Sequence, residues 1–143
     1  MQTKVIKLYI TQDDEAKTRK SVDSIDVDKL GIKTDKFYNK NLQRSILLTS
    51  TDSYEMAKDK EIDLEFGSLG ENILMSANPY HLKEGDQITI GNTTLEITQN
   101  CTLCKGLSVV NSKLPKLLKN DRGIFAKVIS GDSTIKINDI VKV

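Results

Sequence analysis

A mainly β fold of short antiparallel strands with one or two short helices is what the sequence predicts, and three observations carry it. Gln87–Ile90 and Thr93–Thr98 are β-branched runs separated by the two-residue turn Gly91-Asn92, the pattern of a β-hairpin. The C-terminus repeats the device, with Ile124–Ile129, a Gly131-Asp132 turn and Thr134–Ile137. Strands come at close spacing with little helical sequence between them, which favours a barrel or sandwich over a parallel α/β sheet.

Each remaining element follows from local pattern. Val5, Lys7 and Tyr9 alternate with Ile6, Leu8 and Ile10, a short run of β-branched and aromatic residues that reads as an opening strand, after which Gln12 to Asp28 is acidic and polar. Ser45-Ile46-Leu47-Leu48-Thr49 is a compact apolar strand. Asp52 with Glu55 three residues later makes a capping-box pattern, which predicts a helix to about Lys60. Glu71–Met75 reads as a strand entered through Gly67 and Gly70, and Asn138-Asp139 leads into a last strand over Ile140–Val143. Cys104–Leu118 reads as helical, broken where Pro115 restricts Leu114. Gly85-Asp86-Gln87-Ile88-Thr89-Ile90 and Gly131-Asp132-Ser133-Thr134-Ile135-Lys136 echo each other as two similar hairpins, since a repeat array needs at least three units.

Composition bounds the function. The 143 residues suit a single domain over 1–143, and 38% hydrophobic with 29% charged residues is the ordinary globular range. No apolar run has the length of a membrane helix, and Met1-Gln2-Thr3-Lys4 lacks the apolar stretch of a signal peptide, so a cytoplasmic protein that engages no membrane is expected. A net charge of +1 with no tryptophan supplies neither the basic field nor the stacking platforms of a nucleic-acid binder. Charge is nonetheless uneven: between Gln99 and Gly131 six basic residues stand against Asp121 alone, a segment that attracts anions or an acidic partner.

That segment holds both cysteines. With no export signal they are expected as free thiols, whose chemistry is reactivity rather than stapling. Cys104 falls at the start of the predicted helix beside Lys105, where backbone amides and the added charge favour thiolate. Structural zinc takes four ligands and is not expected from two cysteines and one histidine. A thioredoxin-like pair fits the Cys101-Thr102-Leu103-Cys104 spacing, but the flanking hairpins are not its βαβ context. Cys101 reads as a resolving or structural residue, and His81, in a loop beside Pro79 and Tyr80, is assigned no role.

Thr98-Gln99 followed at a five-residue interval by Cys104, and then Leu107, resembles the MOSC family, named after the C-terminal domain of molybdenum-cofactor sulfurase. Gly67-Ser68-Leu69-Gly70-Glu71-Asn72-Ile73 is similar to its Gly-Glu-Asn signature. Gln43-Arg44-Ser45-Ile46-Leu47-Leu48 resembles an inner strand of the family, Gly31–Phe37 its early loop and Arg122–Val128 its closing strand. The departures are Thr34 for a glycine, Phe37 for a histidine and Leu103 for the proline before the cysteine.

The resemblance implies a β-barrel and makes Cys104 a persulfide carrier or molybdenum ligand, with molybdenum cofactor (molybdopterin) as the cofactor. It also implies partners, a cysteine-desulfurase-type sulfur donor or a molybdoenzyme, and brings a family-level association with pyridoxal phosphate. The cofactor is an anionic pterin with a phosphate and a sulfur-ligated metal, which calls for soft thiolate and cationic donors. Arg44 can grip phosphate with two prongs, Asn72 can meet a pterin edge or fix a turn, and Lys105 and Arg122 add charge around the anion. Asp35 orients a lysine or caps its loop. The alternative function is a non-catalytic barrel module whose basic segment docks an acidic partner or a molybdoenzyme.

Overall fold

The computed structural model describes residues 3–12, 19–100, 113–118 and 121–143. The chain runs β1 (Val5–Thr11), β2 (Arg19–Val22), β3 (Ser24–Asp28), β4 (Gly31–Ile32), a 3-10 turn (Leu42–Arg44), β5 (Ile46–Ser50), α1 (Thr51–Asp59) and β6 (Ile73–Met75). It continues through β7 (Gln87–Ile90), β8 (Thr93–Asn100), α2 (Leu114–Leu117), β9 (Ile124–Val128), β10 (Ser133–Lys136) and β11 (Val141–Lys142).

Eight strands pair in the order β11-β7-β8-β9-β5-β6-β1-β2, and β10-β3-β4 form a second sheet. The mainly β expectation holds. Among the described residues the sheets are open and make no closed barrel, although a bridge between Lys4 and Ile140 joins the start of β1 to the approach of β11. Both sheets bury apolar side chains in one core, Ile25, Val27, Ile32 and Ile135 from the small sheet meeting Leu8, Ile46, Leu48, Ile73, Leu95 and Ala126 from the large one. No helix among the described residues is long and apolar enough to cross a membrane.

Two bulges explain departures from strict alternation. The β1–β6 register shifts between Val5 and Lys7, so Val5 and Leu8, three apart, both reach the core. The β8–β9 register shifts between Ile97 and Gln99, after which Gln99 stands opposite Phe125 and Asn100 opposite Ile124. β5 and β6 pair in parallel and therefore need a crossover, supplied by α1 and the loop behind it. Tyr54 and Ala57 of α1 pack there on Leu69, Leu74 and Leu118.

Two local expectations, the cap of α1 and the C-terminal hairpin, are corrected, and two others gain detail. Gln12–Asp28 contains β2 and β3, whose buried residues are Ile25 and Val27 with Val22 packed partly against the core, too few to register as an alternating run. The cap of α1 is Ser50, whose hydroxyl accepts the Asp52 amide at 3.1 Å, while Asp52 sits inside the first turn where its charge suits the helix dipole. The C-terminal hairpin does not form: β9 lies between β8 and β5 with both edges taken, so β10 leaves to pair with β3. Of the predicted Cys104–Leu118 helix, the described part is α2, and Pro115 falls in its first turn, where a missing amide hydrogen costs nothing. The β7–β8 hairpin forms as read, Ile90 facing Thr93 across Gly91-Asn92.

Candidate functional site

On the outer side of β5, away from the core, Leu47 faces Phe125 of β9 as a cross-strand pair and makes an apolar floor. Above it opens a cleft of about 500 Å³. The loop over 33–41 forms one wall with Phe37, Lys40 and Asn41, while Thr11, Gly70 and Asn72 supply another. Arg19, Arg44 and Arg122 are all the arginines of the sequence, and all three line this cleft.

Arg44 closes the 3-10 turn, which Asn41 caps by accepting the Gln43 amide at 3.1 Å. Its guanidinium lies 4.6 Å from the centre of the Phe125 ring, a cation–π contact, and its buried Nε has no hydrogen-bond partner. The ion pairs among the described residues are Lys33–Asp132 and Lys127–Glu96, and Arg44 is in neither.

Arg19, on β2 opposite Thr11, donates from Nη1 to the Thr11 hydroxyl at 2.9 Å and from Nη2 to the Glu71 carbonyl, over the ring of Tyr9. Burial pulls its pKa down, and the nearby Glu71 and Asp35 charges oppose that. A guanidinium nevertheless stays protonated at neutral pH. Arg122, just before β9, donates from Nε to the Leu69 carbonyl at 3.3 Å, and its own carbonyl accepts the Thr49 hydroxyl at 2.9 Å.

The Gly70-Glu71-Asn72 sequence builds the site's far wall. Gly70 takes φ of +84°, a conformation that favours glycine, and a Cβ there would stand 3.7 Å from Nη2 of Arg122. The Glu71 carboxylate is fully buried and accepts the Tyr54 hydroxyl at 2.5 Å and the Gly67 amide at 3.2 Å. Burial first, and then the Glu71 charge, pushes the Tyr54 pKa far upward, so the phenol keeps the proton it donates. Asn72 accepts the Leu47 amide at 2.9 Å and donates to the Tyr9 carbonyl at 3.3 Å, tying β5 to β1 and leaving one amide hydrogen for a ligand.

The structure thus gathers Arg44, Asn72 and Arg122 at one cleft. Asp35 stands behind it, buried, with its carboxylate accepting the amides of Thr11 at 2.6 Å and Phe37 at 2.9 Å; it caps the loop that carries Phe37 and Lys40 to the rim. Cys104, Lys105 and Cys101 lie outside the described residues. Strand β8 ends at Asn100, with Gln99 paired to the floor residue Phe125. Sequence reasoning missed Arg19 and Glu71. The available signal for Arg19 was scarcity: arginines number three among 21 basic residues.

Comparison with known proteins agrees with this architecture. The MOSC domain family is matched over residues 34–142. YuaD protein from Bacillus subtilis superposes with a TM-score of 0.82 at 20% identity, covering 99% of this chain and 94% of that one. YiiM from Geobacillus stearothermophilus gives 0.71 at 14% identity, with 97% and 73% covered. YiiM from Escherichia coli gives 0.70 at 17% identity, with 99% and 69% covered. No curated protein matches the sequence.

Proposed function

The chain belongs to the MOSC domain family, matched over residues 34–142, and from that premise we propose that it binds an anionic molybdenum pterin in the arginine-lined cleft, with Cys104 as metal ligand or persulfide carrier. The observation that carries the reading is the Arg44 guanidinium, stacked on Phe125 with no ion-pair partner among the described residues. A half-buried cation with no paired charge gains from a bound anion, which supplies that charge and a partner for the buried Nε.

The donor set fits the group. Arginine forks suit phosphate oxygens, the remaining Asn72 amide hydrogen suits a pterin edge, and the Leu47–Phe125 floor suits a flat ring. When bound, the group supplies the redox-active, sulfur-ligated metal. This chain's residues bind its charge, orient it over the floor and supply the Cys104 thiol, whose ionisation the neighbouring Lys105 in the sequence favours. In the carrier role, Cys104 thiolate attacks the outer sulfur of a donor persulfide, forming one S–S bond as the donor's breaks and the donor leaves as thiolate. The donor, or an acceptor molybdoenzyme, approaches over a rim where Phe37 is 48% exposed between Lys36 and Lys40, suited to an acidic surface.

Molybdenum, phosphate and pterin analysis of protein purified from cofactor-producing cells tests the reading, alongside alkylation rate and persulfide uptake in Cys101→Ser and Cys104→Ser. Near-stoichiometric pterin, lost in Arg44→Ala, is the expected result, with Cys104→Ser losing metal or sulfur. Protein free of pterin, metal and labile sulfur overturns it.

A further inference from the structure

We infer that Arg19, which lies outside the family-matched residues, works with Arg44 to make the cleft select a dianionic, phosphate-class group over a monoanion; the inference rests on the reading of this cleft as the ligand pocket. The family resemblance gives no reason to look at β2. The structure brings Arg19 in through residues distant in sequence, the Thr11 hydroxyl and the Glu71 carbonyl.

Both of those partners are neutral, so they aim the guanidinium without cancelling its charge. Each Nη nitrogen carries two hydrogens and spends one, leaving one on each for a ligand. The Tyr9 ring, 5.8 Å from the guanidinium carbon, adds a contact that also leaves the charge in place. Glu71 and Asp35 are nearby acids, but Glu71 Oε2 is engaged by Tyr54 and Gly67, the Asp35 carboxylate by the Thr11 and Phe37 amides, and neither makes an ion pair with Arg19, although Glu71 Oε1 has no partner. Arg44 contributes a second cation with no hydrogen-bonded partner, held by Phe125. Two guanidiniums held this way in one cleft favour a doubly charged anion over a singly charged one, and the fork geometry suits phosphate oxygens.

Calorimetric titration of the cofactor-free full chain at pH 8, with inorganic phosphate as dianion and nitrate as monoanion, tests the inference. Wild type is expected to prefer phosphate by about tenfold or more, the scale of a charge-assisted hydrogen bond. Arg19→Gln is expected to lower phosphate affinity about tenfold and collapse the preference while nitrate changes little, and Lys58→Gln, an exposed site on α1, to match wild type. Arg19→Lys keeps charge but not the fork; it is expected to fold and to lose part of the preference.

Phosphate binding in Arg19→Gln equal to wild type overturns the inference. So does an Arg19→Lys that binds like wild type or that, with Arg19→Gln, fails to fold, since Arg19 is then a strut. Pterin content separates this from the broader reading. An Arg19→Gln protein that keeps wild-type pterin sinks the inference alone, whereas wild type that binds phosphate but carries no pterin from cofactor-producing cells sinks the cofactor reading alone.

Discussion

The two faces of strand β5 are built from alternate residues of one short segment, yet they do opposite things. Ile46 and Leu48 point into a core sealed by apolar side chains from both sheets, while Leu47 points out to a floor shared with Phe125, over which Arg44 stands with no ion pair among the described residues. The inner face is packed within the folded chain, whereas the outer face lines a cleft, which on the proposed function a ligand fills. Stability and binding should therefore separate along the same strand, and substitutions on either face test whether they do.

The largest effect belongs to the inner face. Leu48 is fully buried, and Leu48→Ala is expected to cost about 2–5 kcal/mol in urea unfolding through lost burial and the cavity left behind. A cost near zero would mean that the core is not the continuous cluster described.

Next comes an alkaline limb at the end of β5. The Tyr80 hydroxyl accepts the Ser50 amide at 2.8 Å and shares a hydrogen with Ser53 at 2.6 Å, and burial pushes its pKa up to about 12. An unfolded tyrosine titrates near 10. The raised value makes this contribution fully present below pH of about 10 and lost as pH rises towards about 12, on the order of 2–3 kcal/mol. Tyr54 is shifted in the same direction. Unfolding followed against pH should show a fall confined to that window, and Tyr80→Phe should flatten part of it at a cost of about 1 kcal/mol in neutral buffer.

Gly123 is where the two faces meet. A Cβ there would stand 2.8 Å from Cδ1 of Leu47 and 3.0 Å from the Leu48 carbonyl oxygen, so Gly123→Ala must shift backbone or the cleft floor. About 1–3 kcal/mol of destabilisation is expected, together with reduced pterin content, the one substitution to lower both. If thermal melting fell while pterin loading stayed intact, the floor would not be part of the binding surface.

Arg44→Ala should have the smallest effect on stability, within about 1 kcal/mol for the lost stacking on Phe125, and it should still empty the cleft. Large destabilisation with retained ligand would invert the comparison and make Arg44 a structural residue.

Strand positions were legible because they rest on local alternation, and the Gly91-Asn92 turn set its hairpin because the next strand finds the adjacent edge open. The matching Gly131-Asp132 signal predicted a strand correctly and its partner wrongly. Whether a turn closes a hairpin depends on neighbouring edges, and those of β9 are filled by β8 and β5, which are remote in sequence. At the site, resemblance brought out Arg44, Asn72 and Arg122 as residues, but not that the Asn72 amide is largely spent joining β5 to β1. Asp35 likewise resolves from two readings into one, because its acceptors face the amides of Thr11 and Phe37.

By itself the sequence determined that the chain is mainly β, where most strands lie, and which family it belongs to, since those are properties of short segments and their order. Only the tertiary structure decided which strands pair, that Ser50 rather than Asp52 caps α1, and that positions 19, 44 and 122 converge on one cleft. The physical reason is range. Alternation, turns and motifs act over a few residues, whereas strand partners and a shared electrostatic field are set by distances in space that chain separation does not encode.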